Sequence, residues 1–377
     1  AAIEDSRGEL ITTQDADDWS HPERIAAQVA LLHEHPRASA SRSRAVRAKD
    51  DLTHQWFGYE AVRDNASSLM VRRSVMDRAG SFLPLRKAAD SEYAERLVTL
   101  VGPVVDTGST LAITRLRAGS LSRGDFTYQW SDPDRIMFRG TYRAWHRRLG
   151  EQETRSVSLR PAEVPVPVAG SFVRGLAVDS GDTRSLERCY LGDLSGDPTE
   201  PGTPLHRRYL QLTSPGSAGR AGSGSGDRAR EVGLWHVEAP EASSTRRPEM
   251  HPAWFDALLR TPGLRPVTRL DPVVVERLVV LDAQSLLLLA SQPCAVTARS
   301  VQVQVGPGDV EPGPADLPVD LLGVADTCVR LWGHRPQWLL PSVTADRAAV
   351  TAALPGLPWY DDGQGRQESH GQRDGRG

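Results

Sequence analysis

Leu10-Ile11-Thr12-Thr13-Gln14-Asp15-Ala16-Asp17-Asp18-Trp19-Ser20-His21-Pro22-Glu23-Arg24 decides how the front of this chain is read. Its β-branched opening, Ile11 to Thr13, predicts a strand. Asp15, Asp17 and Asp18 then crowd together. Behind them stands a helix start, with Ser20 as N-cap, Pro22 in the first turn and Glu23 three after the serine, the pattern of a capping box. The acids are therefore expected where a strand gives way to a helix. In an open α/β sheet that carboxyl-end crevice is where ligands bind.

Like charges this close repel, and buried together they raise one another's pKa unless a cation sits among them. Oxygen-only ligands suit a hard divalent ion such as Mg2+ or Mn2+, which keeps positions open for substrate phosphates. The competing reading is a solvated acidic loop ahead of a well-capped helix.

Thr13-Gln14-Asp15-Ala16-Asp17-Asp18-Trp19-Ser20-His21-Pro22-Glu23-Arg24-Ile25 resembles the Asp-x-Asp region of family 2 glycosyltransferases, which have the GT-A fold. Ser67-Ser68-Leu69-Met70-Val71-Arg72-Arg73 resembles the strand after the family's metal site. Ala89-Asp90-Ser91-Glu92-Tyr93-Ala94-Glu95-Arg96-Leu97 resembles the segment that opens on its catalytic aspartate. The matches come in order and cover about residues 1–125. The resemblance implies that Asp15 and Asp17, with Asp18 in support, hold Mg2+ or Mn2+ against the diphosphate of a nucleotide-diphosphate sugar donor. It makes Asp90 the general base, Arg96 the family's following arginine and Glu92 the fallback base. Trp19, Ser67, Ser68 and Asp90 would contact substrate. The implied function is a metal-dependent, inverting sugar transfer to a glycan or polyol-type acceptor, in cell-surface polysaccharide or teichoic-acid-like polymer synthesis.

Family members open with a strand, a nucleotide-contacting loop and a second acidic site ahead of the Asp-x-Asp. Here Asp15 stands close behind Ala1. The chain is therefore read as lacking the N-terminal nucleotide-binding half. That motivates a second expectation, an inactive fragment serving as a structural or interaction module. A phosphatase with an Asp-x-Asp nucleophile fits less well, because Trp19 follows Asp18.

With 25% charged residues and a net charge of −3, nothing global calls for nucleic acid or lipid. Cys189, Cys294 and Cys328 lie far apart with no Cys-x-x-Cys spacing, which predicts a reducing compartment without a zinc site or disulfide framework. No uncharged apolar run approaches the roughly 20 residues of a membrane span. The richest run, Leu278 to Ala290, is broken by Asp282 and Gln284. A cytoplasmic chain is expected, with peripheral contact to a membrane-linked acceptor left open.

The fold class expected is α/β. Residues 1–155 read as a partial GT-A domain, a mixed sheet flanked by helices. Residues 156–212 read as a small β-rich connection, 213–227 as a Gly/Ser linker, 228–360 as a Rossmann-like lobe and 361–377 as a disordered tail. Within the front domain, periodicity predicts a helix over His21–His33 with Ile25, Val29 and Leu32 on one face, ended by Pro36. Residues 37–50 read as an exposed basic loop, with phosphate contact as the sharper option. Trp56-Phe57-Gly58-Tyr59 reads as half-buried strand, and Ser74–Ala79 as a helix closed by Gly80. Asp90–Val101 reads as a helix burying Tyr93, Leu97 and Leu100. Val104–Leu116 reads as a strand pair turning at Thr107-Gly108-Ser109, and Asp134–Leu149 as a helix with His146 at the surface.

Further on, Ser171–Val178 and Arg208–Leu212 look strand-like. Strand and helix then alternate: Arg277–Leu281, a helix capped by Asp282 through Ala290, Ala298–Gly306, Leu321–Trp332, Trp338–Leu340 and Ala345–Leu354. That rhythm predicts a parallel sheet with right-handed crossovers. Trp235-His236-Val237 and Val329-Arg330-Leu331-Trp332-Gly333 loosely resemble the first lobe of GT-B type glycosyltransferases of actinobacterial surface-polymer enzymes. No second lobe follows, so the segment is expected to lack a complete nucleotide-sugar site. His236 and His334 are the histidines to test there.

Overall fold

The chain divides into two units, Ala1–Gly181 and Asp182–Gly377. The computed structural model describes residues 2–54, 60–116, 126–127, 130–152, 157, 164–173, 184–214, 231–237, 249–306, 309, 319–340 and 344–360. Trp56 to Tyr59, residues 215–227 of the expected linker 213–227 and the tail 361–377 lie outside the described residues; Thr213, at the linker's expected start, ends a helix.

The first unit begins with α1 (Ala2–Asp5), β1 (Leu10–Thr12), β2 (Trp19–Ser20), α2 (Arg24–Glu34) and β3 (Ala40–Ala48). Then come β4 (Val62–Asp64), β5 (Met70–Arg72), α3 (Arg73–Ala79), α4 (Ala89–Leu100) and β6 (Val104–Arg115). The short pair β7 (Phe126–Thr127) and β8 (Trp130–Ser131), α5 (Pro133–Glu151) and α6 (Gly170–Val173) complete it. The main sheet runs β1-β5-β3-β6-β2, with β4 also on β3. Only β3 and β6 run parallel; every other pairing in this sheet is antiparallel.

The centre of that sheet corrects the expected basic loop. Residues 40–48 form β3, flanked by β5 and β6. Ala40, Ser41, Ser43, Ala45 and Ala48 are buried. Small side chains let helices approach the sheet closely, but they leave no apolar alternation to read. Of the arginines between them, Arg42 pairs with Asp64 at 2.7 Å and Asp106 at 3.3 Å. The expected strand pair at 104–116 is also corrected. β6 is one strand that takes up the Thr107–Ser109 turn as a bulge opposite Arg42 and Arg44. Gly108 sits there at φ +71°, and its N–H donates to Asp106 Oδ1 at 2.7 Å.

A third correction concerns the helix start. Trp19 and Ser20 are extended and pair with Ile113 and Ala112 of β6, so Ser20 caps nothing and the capping box does not form. The helix begins at Arg24, and its buried face is Arg24, Gln28 and Leu32, while Ile25 is 45% exposed. By contrast α3, Gly80 and α4 stand where the sequence placed them. Tyr93 and Leu97 pack on Ala40, Leu69, Val71, Val75 and Ala79, and the Tyr93 hydroxyl donates to Gly80 O at 2.9 Å.

The second unit comprises β9 (Arg184–Gly192), α7 (Pro204–Thr213), β10 (Val232–His236), α8 (Pro252–Arg260) and β11 (Leu264–Pro266). After these come β12 (Val273–Val280), α9 (Gln284–Leu289), β13 (Thr297–Ala298) and β14 (Val301–Gln304). The last elements are α10 (Leu321–Trp332), β15 (Gln337–Leu339), α11 (Thr344–Ala353) and β16 (Trp359–Tyr360). Arg208 to Leu212, expected as strand, lie in α7, and Ser171 to Val173 are helical; 174–178 fall outside the described residues.

The expected parallel sheet is present. All its pairings are parallel, in the order β11-β10-β9-β12-β14-β15-β16. β12 is apolar over most of its length because helices cover both faces of such a sheet. Val275, Leu278 and Val280 are fully buried with Val303, Leu286, Val324 and Cys328. The strand order turns back between β9 and β12. Gly192 ends β9 there, and a Cβ on it would stand 2.7 Å from Asp282 Oδ2 and 2.9 Å from Leu281 Cβ, so the close approach requires glycine. A mixed-sheet α/β unit followed by a Rossmann-like lobe is the architecture the sequence led us to expect.

Candidate active site

Residues 13–18 strap β1, at one edge of the first sheet, to β2, at the other. The Gln14 amide folds back across the turn and donates to the carbonyls of Asp15 and Asp18, each at 3.1 Å. Its oxygen accepts from the Ser20 hydroxyl and, at 3.4 Å, from Arg24 Nη2. Asp18 Oδ1 accepts from the Arg115 amide at 2.9 Å, pinning the turn to the carboxyl end of β6. On the other side, the hydroxyl of Thr13 donates to Ser67 O at 2.7 Å and that of Thr12 to Ser68 O at 3.3 Å. The acids thus sit at the strand ends.

Beneath the turn lies a polar floor that periodicity could not reveal. Arg24 is 3% exposed and donates to Gln28 Oε1 at 3.0 Å and Thr12 Oγ1 at 3.3 Å. Gln28 in turn donates to the carbonyls of Ser41 at 3.1 Å and Ser68 at 2.8 Å. Burial lowers the Arg24 pKa. A buried guanidinium behind an acid turn is costly alone and favourable when negative charge collects in front of it.

The carboxyl of Asp15 is held above the ordinary carboxylate range. Partial burial contributes most, then repulsion from Asp17 and from Asp90, while a hydrogen bond with the Ser67 side chain works the other way. Asp90, in the first turn of α4, is close enough for its charge to act on Asp15. The structure therefore brings Asp15, Asp17, Ser67 and Asp90 together. Ser67 Oγ also lies 2.9 Å from Asn65 Oδ1. Asp18 is raised chiefly by burial, with Asp15 and Asp17 adding to it, against the Arg115 amide and Arg47. Its Oδ2 is buried without a hydrogen-bond partner among the described residues.

Asp90 occupies the first turn of α4, which starts from Ala88 at φ 61° and has no side-chain N-cap. Its Oδ1 accepts from the Ser91 amide at 2.7 Å. Trp19 is 52% exposed, its ring edge-on to His21 at 5.9 Å.

Other expected site residues lie in the interior. Glu92 and Arg96 are fully buried. Glu92 Oε2 accepts from Arg96 Nη2 at 3.0 Å, and its Oε1 lies 3.0 Å from Arg96 Nε in the ion pair and 2.9 Å from His146 Nε2. Arg96 also donates to Ala79 O at 2.6 Å and Ser81 O at 2.8 Å. These contacts join α4 to α5 and to the corner after α3, out of reach of an acceptor arriving from solvent. His146, expected at the surface, is 3% exposed and belongs to this cluster. Ser68 is 1% exposed; its hydroxyl donates to Asn65 O at 2.7 Å and accepts from the Ser43 amide at 2.9 Å, which makes it a brace.

Among the described residues no three His, Cys, Asp or Glu side chains form a group that could hold a metal ion. A Mg2+ ion bound through one or two carboxylates and the phosphates of its substrate needs no such cage. The repulsion at Asp15 is of the kind a cation beside Asp15 and Asp17 relieves, so the donor set fits a hard divalent ion.

Fold and turn together define an α/β unit with a cluster of carboxylates at its strand ends. Residues 1–94 match the family model described as Glycosyl transferase family 2, a span that takes in the acid turn, Ser67 and Asp90. The match supports a glycosyltransferase, and it ends short of the 125 residues over which the sequence resemblance was read. No curated protein matches the chain. No helix among the described residues is long and apolar enough to cross a membrane.

Proposed function

We propose that the first unit serves a metal-dependent, inverting glycosyltransferase that uses a nucleotide-diphosphate sugar. The observation that supports this most is the crowding of negative charge on Asp15, which feels both Asp17 beside it in the turn and Asp90 at the start of α4. Asp15 and Asp17 hold Mg2+ or Mn2+, with the unpaired Asp18 Oδ2 in support. When bound, the ion offsets charge gathering on the leaving diphosphate. Gln14 and Arg115 keep the turn rigid, and Arg24 backs it with positive charge. Asp90 takes the proton of the acceptor hydroxyl on Oδ2, the oxygen that the Ser91 amide does not hold. The hydroxyl then attacks the anomeric carbon opposite the leaving group, which inverts that centre. Trp19 offers an exposed ring against which a sugar can stack. The acceptor is a glycan or polyol of the kind found in cell-surface polymers, reached from the cytoplasmic side.

Titration calorimetry with Mn2+ and UDP-, GDP- or TDP-sugars tests the reading. Saturable binding that needs the metal and is lost in Asp17→Asn is expected. Asp90→Asn should bind donor as the native chain does and transfer nothing. A catalytically inactive interaction module is the second reading, favoured by the burial of Glu92 and Arg96, two of the expected catalytic residues, in the interior. It prevails if no metal and sugar-nucleotide pair gives a binding isotherm.

A further inference from the structure

The second unit contains a cavity of about 470 Å³ that the chemistry of the first does not use. It opens at the carboxyl ends of β9, β12 and β14, where the strand order turns back. Connections leave β9 and β12 toward opposite sides there, and that divergence is what makes open α/β sheets bind ligands at such a point. The volume falls in the ordinary range for small-molecule sites, ~300–1,000 Å³.

Its walls are polar and of both signs. Asp193 follows β9, Asp282 follows β12 and Gln304 ends β14; Asp309 stands beyond, and α7 contributes Arg207 and Gln211. Backbone amides fix each carboxylate. Asp282 accepts from Asp193 N at 2.9 Å and Ser285 N at 2.8 Å, Asp193 from Ser195 N at 2.8 Å, and Asp309 from Gly306 N at 2.7 Å. One amide to one oxygen leaves Asp193 and Asp309 with acceptor capacity toward the cavity. Burial and the charge of Asp282 hold the Asp309 carboxyl above its ordinary range, against the Gly306 amide.

The two arginines of α7 differ. Arg208 is engaged, at 3.2 Å from the Tyr190 hydroxyl and 2.8 Å from Gln211 Oε1, with its guanidinium over the Tyr190 ring. Arg207 lines the same cavity, yet its guanidinium has no hydrogen bond or ion pair to any described residue.

We propose that this crevice binds a hydroxyl-rich ligand carrying one anionic group, of the sugar-phosphate class. Carboxylates held by amides accept from ligand hydroxyls. The uncommitted guanidinium of Arg207 and the amide of Gln304 donate to the phosphate. Each simpler occupant leaves something unmet. Inorganic phosphate meets three carboxylates and offers them no row of hydroxyls. A neutral sugar leaves Arg207 without an anion. A nucleobase finds no aromatic ring among the described lining residues on which to stack. The assignment rests on the second unit alone and stands or falls apart from the transferase reading.

The test uses the full chain with EDTA, which silences any metal-dependent site. Glucose 1-phosphate, methyl glucoside and inorganic phosphate are titrated by calorimetry. Saturable binding of glucose 1-phosphate at sub-millimolar to millimolar concentration is expected, with the other two at least about tenfold weaker, as loss of a charged hydrogen bond implies. Arg207→Gln, a change on a half-exposed side chain, should weaken glucose 1-phosphate by a similar factor without altering the melting temperature. Gln304→Glu adds a further negative charge and should abolish binding. The proposal is overturned if glucose 1-phosphate does not bind, if either simpler probe binds equally well, or if Arg207→Gln binds like the native chain.

Discussion

Asp15 links site chemistry to stability through its charge. Its carboxyl is raised in the folded chain, so the folded state binds the proton more tightly than the unfolded state does. Stability therefore falls as pH rises from the ordinary carboxylate value through the raised one, and the loss persists at neutral pH. Asp15→Asn should melt at a higher temperature than the native chain at pH 7 with EDTA, and the gap should close as pH drops toward 4. Adding Mn2+ should raise the native melting temperature and leave the variant unmoved. Thermal melts at both pH values check this, and equal melting at pH 7 would count against the crowding. The three aspartates were legible because acidity in a short stretch shows in any sequence. Glu92 was not, because a motif gives identity without direction. Successive helical residues turn by about 100°, so a side chain two positions on points nearly opposite. Asp90 and Glu92 therefore cannot serve one cleft, and Glu92 went inward to Arg96 and His146.

The same turn of α4 sets the behaviour of the element. Glu92 is fully buried against two basic side chains, and removing one member of such a set strands the others. Glu92→Ala should cost about 3–5 kcal/mol in denaturant unfolding. Glu92→Leu combined with Arg96→Met should recover much of that, since apolar replacement of both ion-pair members removes the unmet charge. A second element-scale test concerns α2. A true Ser cap is worth about 1 kcal/mol, but Ser20 lies in β2 and spends its hydroxyl on Gln14, so Ser20→Ala should cost about 0.5 kcal/mol, the low end for one lost hydrogen bond, and leave the helicity of α2 unchanged. The capping box was a reasonable inference from local sequence, overridden by pairing with Ala112 and Ile113, residues that lie far along the chain. Residues 40–48 failed to register for another reason. Their buried side chains are alanines and serines, which carry no hydrophobic signal, and the arginines between them suggest solvent. Where burial uses large apolar groups, as in Tyr93, Leu97 and α10, the elements were readable.

At the scale of the whole molecule, the alternation of strand and helix announced a parallel sheet after residue 184, yet the order of its strands was not in that rhythm. Strand order depends on which edge each crossover returns to, a choice made by packing between distant segments. The crevice at the reversal was therefore invisible until β9 and β12 were seen side by side. In the first unit the family resemblance found the acid turn and α4, and tertiary contacts alone supplied Gln14, Arg24 and Gln28 beneath them.

The tie between opposite borders of the first sheet has an evolutionary corollary. Both anchor points are fixed by ladders, so the number of residues spanning them cannot drift. Inserting a single glycine after Ala16 would force one ladder out of register or push the carboxylates away from Asp90. Descendants of this sequence are free to exchange side chains along that span, but insertions and deletions there should be purged.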